Sequence, residues 1–224
     1  MKELKFTLYE IFGYILPGSI FCFAIAIIFI SVFITNSTLH IAKLTAEMNT
    51  IIIVLFYFNG HVVQALGNIF ARILKVNDMN IATKISIKMS YITNKINDDV
   101  TSKLELPNTV IPLDELYMIS DELNAISGNT EDREIYQYRE GFYRGLFVSC
   151  SMLSLALVVK IIDGAVYIDT GNYIINITRQ MMVFVLAASA IGCCLFYNRY
   201  IRFISYRIRH AFISYIVVKK LKQA

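Results

Sequence analysis

Four long apolar runs divide the chain, and polar stretches of helical periodicity separate or follow them. The first run covers residues 11–34, long enough for the roughly 20 helical residues that a bilayer core requires. The second covers residues 49–71 and ends at Arg72. The third, residues 145–162, is short, and Lys160 near its end is placed to snorkel to an interface. The fourth, residues 181–197, is followed almost at once by Arg199. Between runs two and three, Ile81, Ile85, Met89, Ile92, Ile96 and Val100 recur every three or four residues, which predicts an amphipathic helix. Pro107 and Asn108 end it. Pro112 opens a second helix with Leu113, Leu116, Ile119, Leu123 and Ile126 on one face, and Gly128 stops it. Asn129 or Thr130 caps a third helix, with acidic residues in its first turn, that runs on into the third span. After the fourth span, Ile201, Ile204, Ile208, Ala211, Tyr215 and Val218 form the apolar stripe of a last helix.

The pattern predicts an all-α membrane protein: four transmembrane helices, a small helical cytoplasmic lobe and a basic amphipathic C-terminal helix. Its divisions are residues 1–75 (spans one and two), 76–143 (the lobe), 144–198 (spans three and four) and 199–224 (the C-terminal helix). Composition agrees, with 56% of the 224 residues hydrophobic and only 17% charged, against about 25% charged in a typical soluble domain. The first run is too long for a signal peptide and no small-residue cleavage site closes it, so it reads as a span. Lobe helices of this number and size make a marginal core. Their apolar faces are expected to pack on neighbouring subunits or on membrane-proximal helices.

Charge placement orients the spans. Lys2 and Lys5, nine basic residues between Arg72 and Arg144, and seven between Arg199 and Lys222 make 18 of the 21 lysines and arginines. The positive-inside rule then puts both termini and the middle segment in the cytoplasm. The four cysteines lie in apolar runs, and the three histidines are far apart, so neither a disulfide framework nor a metal site is expected. No constellation for hydrolysis, group transfer or redox chemistry is visible, no cofactor motif is present, and the chain does not read as an enzyme.

The polar residues of span two are the sharpest feature. His61, Gln64, Asn68 and Arg72 fall on one helix face. Such a stripe faces another helix, where it fixes an oligomer, or it lines a pore or gate. Gly60 and Gly67 beside it admit a close neighbour. In span one, Pro17 and Gly18 predict a short interfacial helix over residues 5–15, a bend, and then the span proper, with a gating hinge as the functional alternative. In span four, Ala188 and Gly192 make a small-xxx-small packing pair. Serines 149, 151 and 154 of span three can bond their own helix backbone. On the last helix, Arg199, Arg202, Arg207, Arg209 and His210 are candidates to meet lipid headgroups or another anion, or acidic residues of the lobe.

Gly13-Tyr14-Ile15-Leu16-Pro17-Gly18 in span one, Gly60-His61 with Gln64 in span two, Arg139 and Arg144 entering span three, and the arginine-rich helix after span four together resemble a group of small bacterial multi-pass membrane proteins. Some of these belong to antiviral (phage) defence loci. The resemblance implies an inner-membrane effector that answers an infection cue, from a partner protein or a nucleotide messenger, and then compromises the membrane. The chain has no recognisable nucleotide-binding motif of its own. The expected function is therefore a homo-oligomeric effector that perturbs or gates membrane permeability on a cytoplasmic cue. The alternative is a non-conducting membrane scaffold that recruits a cytosolic defence partner through residues 76–143.

Overall fold

The structure is a computed structural model and describes residues 2–33, 38–40, 46–76, 78–103, 110–126, 131–163, 166–169 and 174–223. The elements are α1 (Lys2–Phe33), β1 (Thr38–His40), α2 (Ala46–Ile73), α3 (Asp78–Lys88), α4 (Ser90–Lys103), α5 (Leu113–Ile126), α6 (Glu131–Asp163), β2 (Val166–Asp169), β3 (Ile174–Ile177) and α7 (Arg179–Gln223). Four of the helices are long and apolar enough to cross a membrane, over Ile11–Phe29, Glu47–Ile73, Arg133–Ile162 and Arg179–Lys220. The chain has the architecture of a multi-pass helical membrane protein. It divides into two compact units, one of Met1–Phe70 with Gly141–Arg199, the other of Ala71–Glu140 with Tyr200–Ala224.

The first unit holds the apolar parts of the four spans. Phe21, Val63 and Val148 are buried at the centre of one cluster, with Leu66, Phe70 and Phe147 packed around them. Leu157 and Met182 centre a second cluster with Ile27, Leu153 and Leu186. α1 continues through Pro17 as one helix rather than breaking into an interfacial helix and a span. Proline removes one backbone donor, but packing on both sides of Pro17 and Gly18, both buried, holds the helix together. Lys160 does not snorkel outward. It is 1% exposed and has interaction partners of its own. On α7 the buried small residue is Ser189, while Ala188 is exposed. Ser189 Oγ donates to the Cys150 carbonyl at 2.9 Å and accepts from Ser154 Oγ at 3.1 Å. Ser151 donates to its own helix at Phe147 O, whereas Ser149 and Ser154 bond other helices.

A small sheet, unforeseen from the sequence, joins the segments between α1 and α2 and between α6 and α7. β1 runs parallel to β2, with Thr38 opposite Tyr167, and β2 pairs antiparallel with β3, with Val166 opposite Ile177. Strands of three or four residues are too short to show an alternating pattern. The β-branched Val166, Ile168, Ile174, Ile175 and Ile177 supply the propensity.

The second unit is a lobe of α3, α4 and α5 with the adjoining parts of α6 and α7. Ile81, Ala82, Ile85, Ile96, Val100 and Leu116 are buried together with Ile204, Ile208, Ala211, Phe212 and Tyr215 of α7. The C-terminal helix therefore completes the lobe core, and its apolar stripe is the one read from the sequence. It is also continuous with span four, as one 45-residue helix. Asn124 Nδ2 donates to the Ala211 carbonyl at 2.8 Å in this core. At the far end of α7, Tyr215 Oη donates to Asp99 Oδ2 at 2.5 Å and Lys219 pairs with the other Asp99 oxygen. Two details differ from the sequence pattern. The helix expected across Ile81 to Val100 is interrupted at Met89, where hydrogen bonding shifts locally to a tighter turn. On α5 the buried line is Leu116, Ser120 and Asn124, while Leu123 and Ile126 are exposed. Ser120 Oγ donates to the Leu116 carbonyl and Asn124 Nδ2 to the Ala211 carbonyl, which lets both polar side chains sit in the core. Residues 107, 108 and 127–130, where breaks and caps are expected, lie outside the described residues.

The end of α2 is closed by a pair of backbone hydrogen bonds. Lys75 N–H donates to Arg72 O at 3.1 Å and Val76 N–H to Ala71 O at 2.8 Å, the paired bonds of a Schellman cap. Lys75 adopts φ 52° to make them, and Asn80 Nδ2 donates to its carbonyl at 2.8 Å. A side chain in this left-handed region costs about 1 kcal/mol relative to glycine. Lys75→Gly is therefore expected to raise the unfolding midpoint of the detergent-solubilised protein, by up to about 1 kcal/mol; a lowered midpoint would mean that the lysine side chain contributes more than the strain it introduces.

Candidate functional site

The motifs singled out in spans one, two and three meet at one junction in the first unit. α1 and α2 touch backbone to backbone at Gly18 and Gly60. A Cβ at Gly18 would overlap the Phe56 carbonyl oxygen and come within 2.7 Å of Gly60 N, and one at Gly60 would overlap the Tyr14 carbonyl. No other residue type fits either position without parting the helices. Gly13, one turn earlier on α1, has nothing within 4 Å of such a Cβ. α6 enters against the same contact. A Cβ at Gly145 would lie 3.0 Å from Gln64 Nε2 and 3.2 Å from the Pro17 ring. Ser149 Oγ donates to the Pro17 carbonyl at 2.8 Å in a buried position.

Polar groups fill the centre of this junction. Gln64 Nε2 donates to the Gly141 carbonyl at 2.8 Å, and Gln64 Oε1 accepts from Arg144 Nη2 at 3.1 Å. The stem of Arg144 lies across Gly67, where an added Cβ would come within 3.0–3.1 Å of it. Arg144 Nε is buried without a hydrogen-bond acceptor. No carboxylate lies within ion-pair distance of Arg144 among the described residues. This cation is thus held by an amide and by packing, with its buried Nε–H left without an acceptor, and this arrangement is costly to bury.

The four residues of the span-two stripe differ in burial. Gln64 turns into the protomer, while His61, Asn68 and Arg72 are exposed. His61 stacks on Tyr14 with ring centroids 4.1 Å apart and meets Tyr57 edge-on at 4.8 Å. His61 is covered on one side by aromatic rings, Asn68 is exposed on the first unit, and Arg72 belongs to the second unit. Pro17 and Gly18 sit at the tightest contact of the unit, as packing residues within a continuous helix.

The five basic candidates of α7 are likewise divided. Arg199, Arg202 and Arg209 are exposed. Arg207 Nε lies 3.1 Å from Glu140 Oε2, both side chains being largely buried. The acidic partner on the lobe is thus Glu140 rather than Asp114, Glu115, Asp121 or Glu122; Asp121 pairs instead with Arg133 at 2.8 Å. His210 packs edge-on against Tyr136 at 5.7 Å and contacts Ser214 on its own helix. Arg139 lies over the Phe203 ring at 5.6 Å. Among the described residues no group of three or more His, Cys, Asp or Glu is placed to hold a metal ion. The Gln64–Arg144 pair escapes sequence reasoning because its members are 80 positions apart; the signal is a lone arginine between two glycine positions at the start of an otherwise uncharged run. No family model matches the chain, and neither a curated protein nor a solved structure resembles it significantly.

The glycine contacts make a controlled comparison possible. Gly60→Ala is expected to destabilise the protein by about 1–3 kcal/mol through overpacking against backbone. Gly13→Ala, in the same pair of helices, is expected to be neutral or to stabilise by about 0.5 kcal/mol. Denaturant or thermal unfolding in detergent reads both, and equal effects at the two positions would remove the close contact from the account.

Proposed function

We propose that the chain is a homo-oligomeric inner-membrane effector that perturbs or gates membrane permeability on a cytoplasmic cue, in the setting of bacterial antiviral defence. Its termini and residues 76–143 face the cytoplasm, as the basic residues favour. The single observation that supports permeability control is the division of polar residues on α2. Gln64 is satisfied within the protomer, whereas His61 and Asn68 are exposed on a span among exposed apolar neighbours such as Val54, Phe58 and Ile69. A polar side chain facing lipid lacks partners, so a second copy or a water-filled path is the environment that suits these residues. The defence setting rests on the resemblance of the glycine-rich and arginine motifs. The cue reaches the protein through a cytosolic partner or a nucleotide, and the absence of a nucleotide-binding motif favours the partner.

A second reading has its own support. The lobe leaves Val110 83% and Ile126 78% exposed, and an apolar surface of this kind suits a scaffold that recruits a cytosolic protein. The two readings differ in ion flow. In bacteria expressing the protein with its neighbouring genes, a voltage-sensitive dye is expected to report depolarisation on phage challenge. His61→Ala with Asn68→Ala is expected to alter it, and to weaken self-association several-fold if two interhelical bonds of about 0.6 kcal/mol are lost. Phage protection without any depolarisation would leave the scaffold as the function.

A further inference from the structure

We infer that the outer face of α3 and α4 is a docking surface for an anionic lipid bilayer. Lys84, Ile87, Lys88, Tyr91 and Lys95 recur at intervals of three and four residues on both sides of the Met89 turn, and all five are exposed. Ile87 is 73% and Tyr91 76% exposed. The Lys95 ammonium lies 6.0 Å from the centre of the Tyr91 ring, so cation and aromatic point the same way. The lobe core does not need these residues, because Ile81, Ile85, Ile96 and Val100 of the same two helices fill it.

The mixture of residue types selects the occupant. A face that only meets water has no use for a large aliphatic and an aromatic side chain between lysines. A site for a free anion would use the lysines and leave Ile87 and Tyr91 unexplained. A bilayer surface rich in anionic lipid uses both, with ammonium groups at the phosphates and the apolar side chains at the boundary of headgroups and acyl chains. The face is positive: three exposed lysines stand on it against one exposed acidic residue, Asp98, at its end, whereas α5 exposes Asp114, Glu115 and Glu122. The chain also enters α3 five residues after the end of α2, a membrane-spanning helix. The inference is independent of the permeability reading, since it concerns the lobe alone and its readout is not ion flow.

The test uses the full chain in lipid nanodiscs, either of neutral phosphatidylcholine or with about a third phosphatidylglycerol. Lysines are acetylated with a water-soluble reagent and read by mass spectrometry against a lysine peptide added to the same sample. Labelling of Lys84, Lys88 and Lys95 is expected to be roughly tenfold slower in the anionic discs and to recover at about 0.5 M salt, where the Debye length is a few Å. Replacing the two apolar residues, Ile87→Gln with Tyr91→Gln, is expected to lower the protection while leaving the unfolding midpoint unchanged. Equal labelling in the two discs would overturn the inference. So would protection of the same size on adding inorganic phosphate to the neutral discs, which would make the face a site for a free anion.

Discussion

The backbone contact between α1 and α2 at Gly18 and Gly60 is the constraint on which the first unit depends. Only two glycines allow the Phe56 and Tyr14 carbonyls to approach so closely. The contact fixes the rotation of α2 as well as its distance. With Gly60 against α1, Gln64 one turn later points into the junction and Gly67 opens the groove that receives Arg144. The same rotation leaves His61 and Asn68 outside. Pro17 sits at the crossing, and its carbonyl is taken up by Ser149 of α6. Three helices thus share one small polar centre, and each glycine in it has a named neighbour.

The lobe follows a different logic. Its helices are short and carry few large apolar residues, and Ile204, Ile208, Phe212 and Tyr215 of α7 supply much of what they pack against. Specific polar pins set the register of that helix: Arg207 with Glu140, Asn124 with the Ala211 carbonyl, and Asp99 with both Tyr215 and Lys219. A largely buried pair such as Arg207 and Glu140 adds little net stability when intact, but removing one partner strands the other and costs about 3–5 kcal/mol. Such pins therefore act more on which arrangement forms than on how stable it is.

Periodicity and hydropathy carry most of the fold. The four spans, the helix opened by Pro112, the run of α6 into span three and the stripe of α7 are all legible, because burial demands apolar residues at helical spacing. Local capping is less so. The cap of α2 uses Lys75 in a conformation that usually marks glycine, and no sequence pattern announces it. Long-range polar pairing is not legible at all. Gln64 reads as one of four equivalent residues on a face until Arg144, 80 positions away, selects it. Arg207 reads as one of five exposed cations until Glu140 does the same. The α5 face departs from the apolar pattern for a related reason: Ser120 and Asn124 are polar by type yet buried, and each donates to a backbone carbonyl.

The proposed function rests on that selection among the α2 residues, with one turned inward and its neighbours outward, where the proposal places a second copy. Intermolecular disulfide cross-linking in membranes examines it most directly. In a background with the four native cysteines replaced, Asn68→Cys is expected to give cross-linked dimers under mild oxidation, and Gln64→Cys to give none. Cross-linking of Gln64→Cys as efficient as that of Asn68→Cys would contradict the rotation assigned to α2 and, with it, the assembly face.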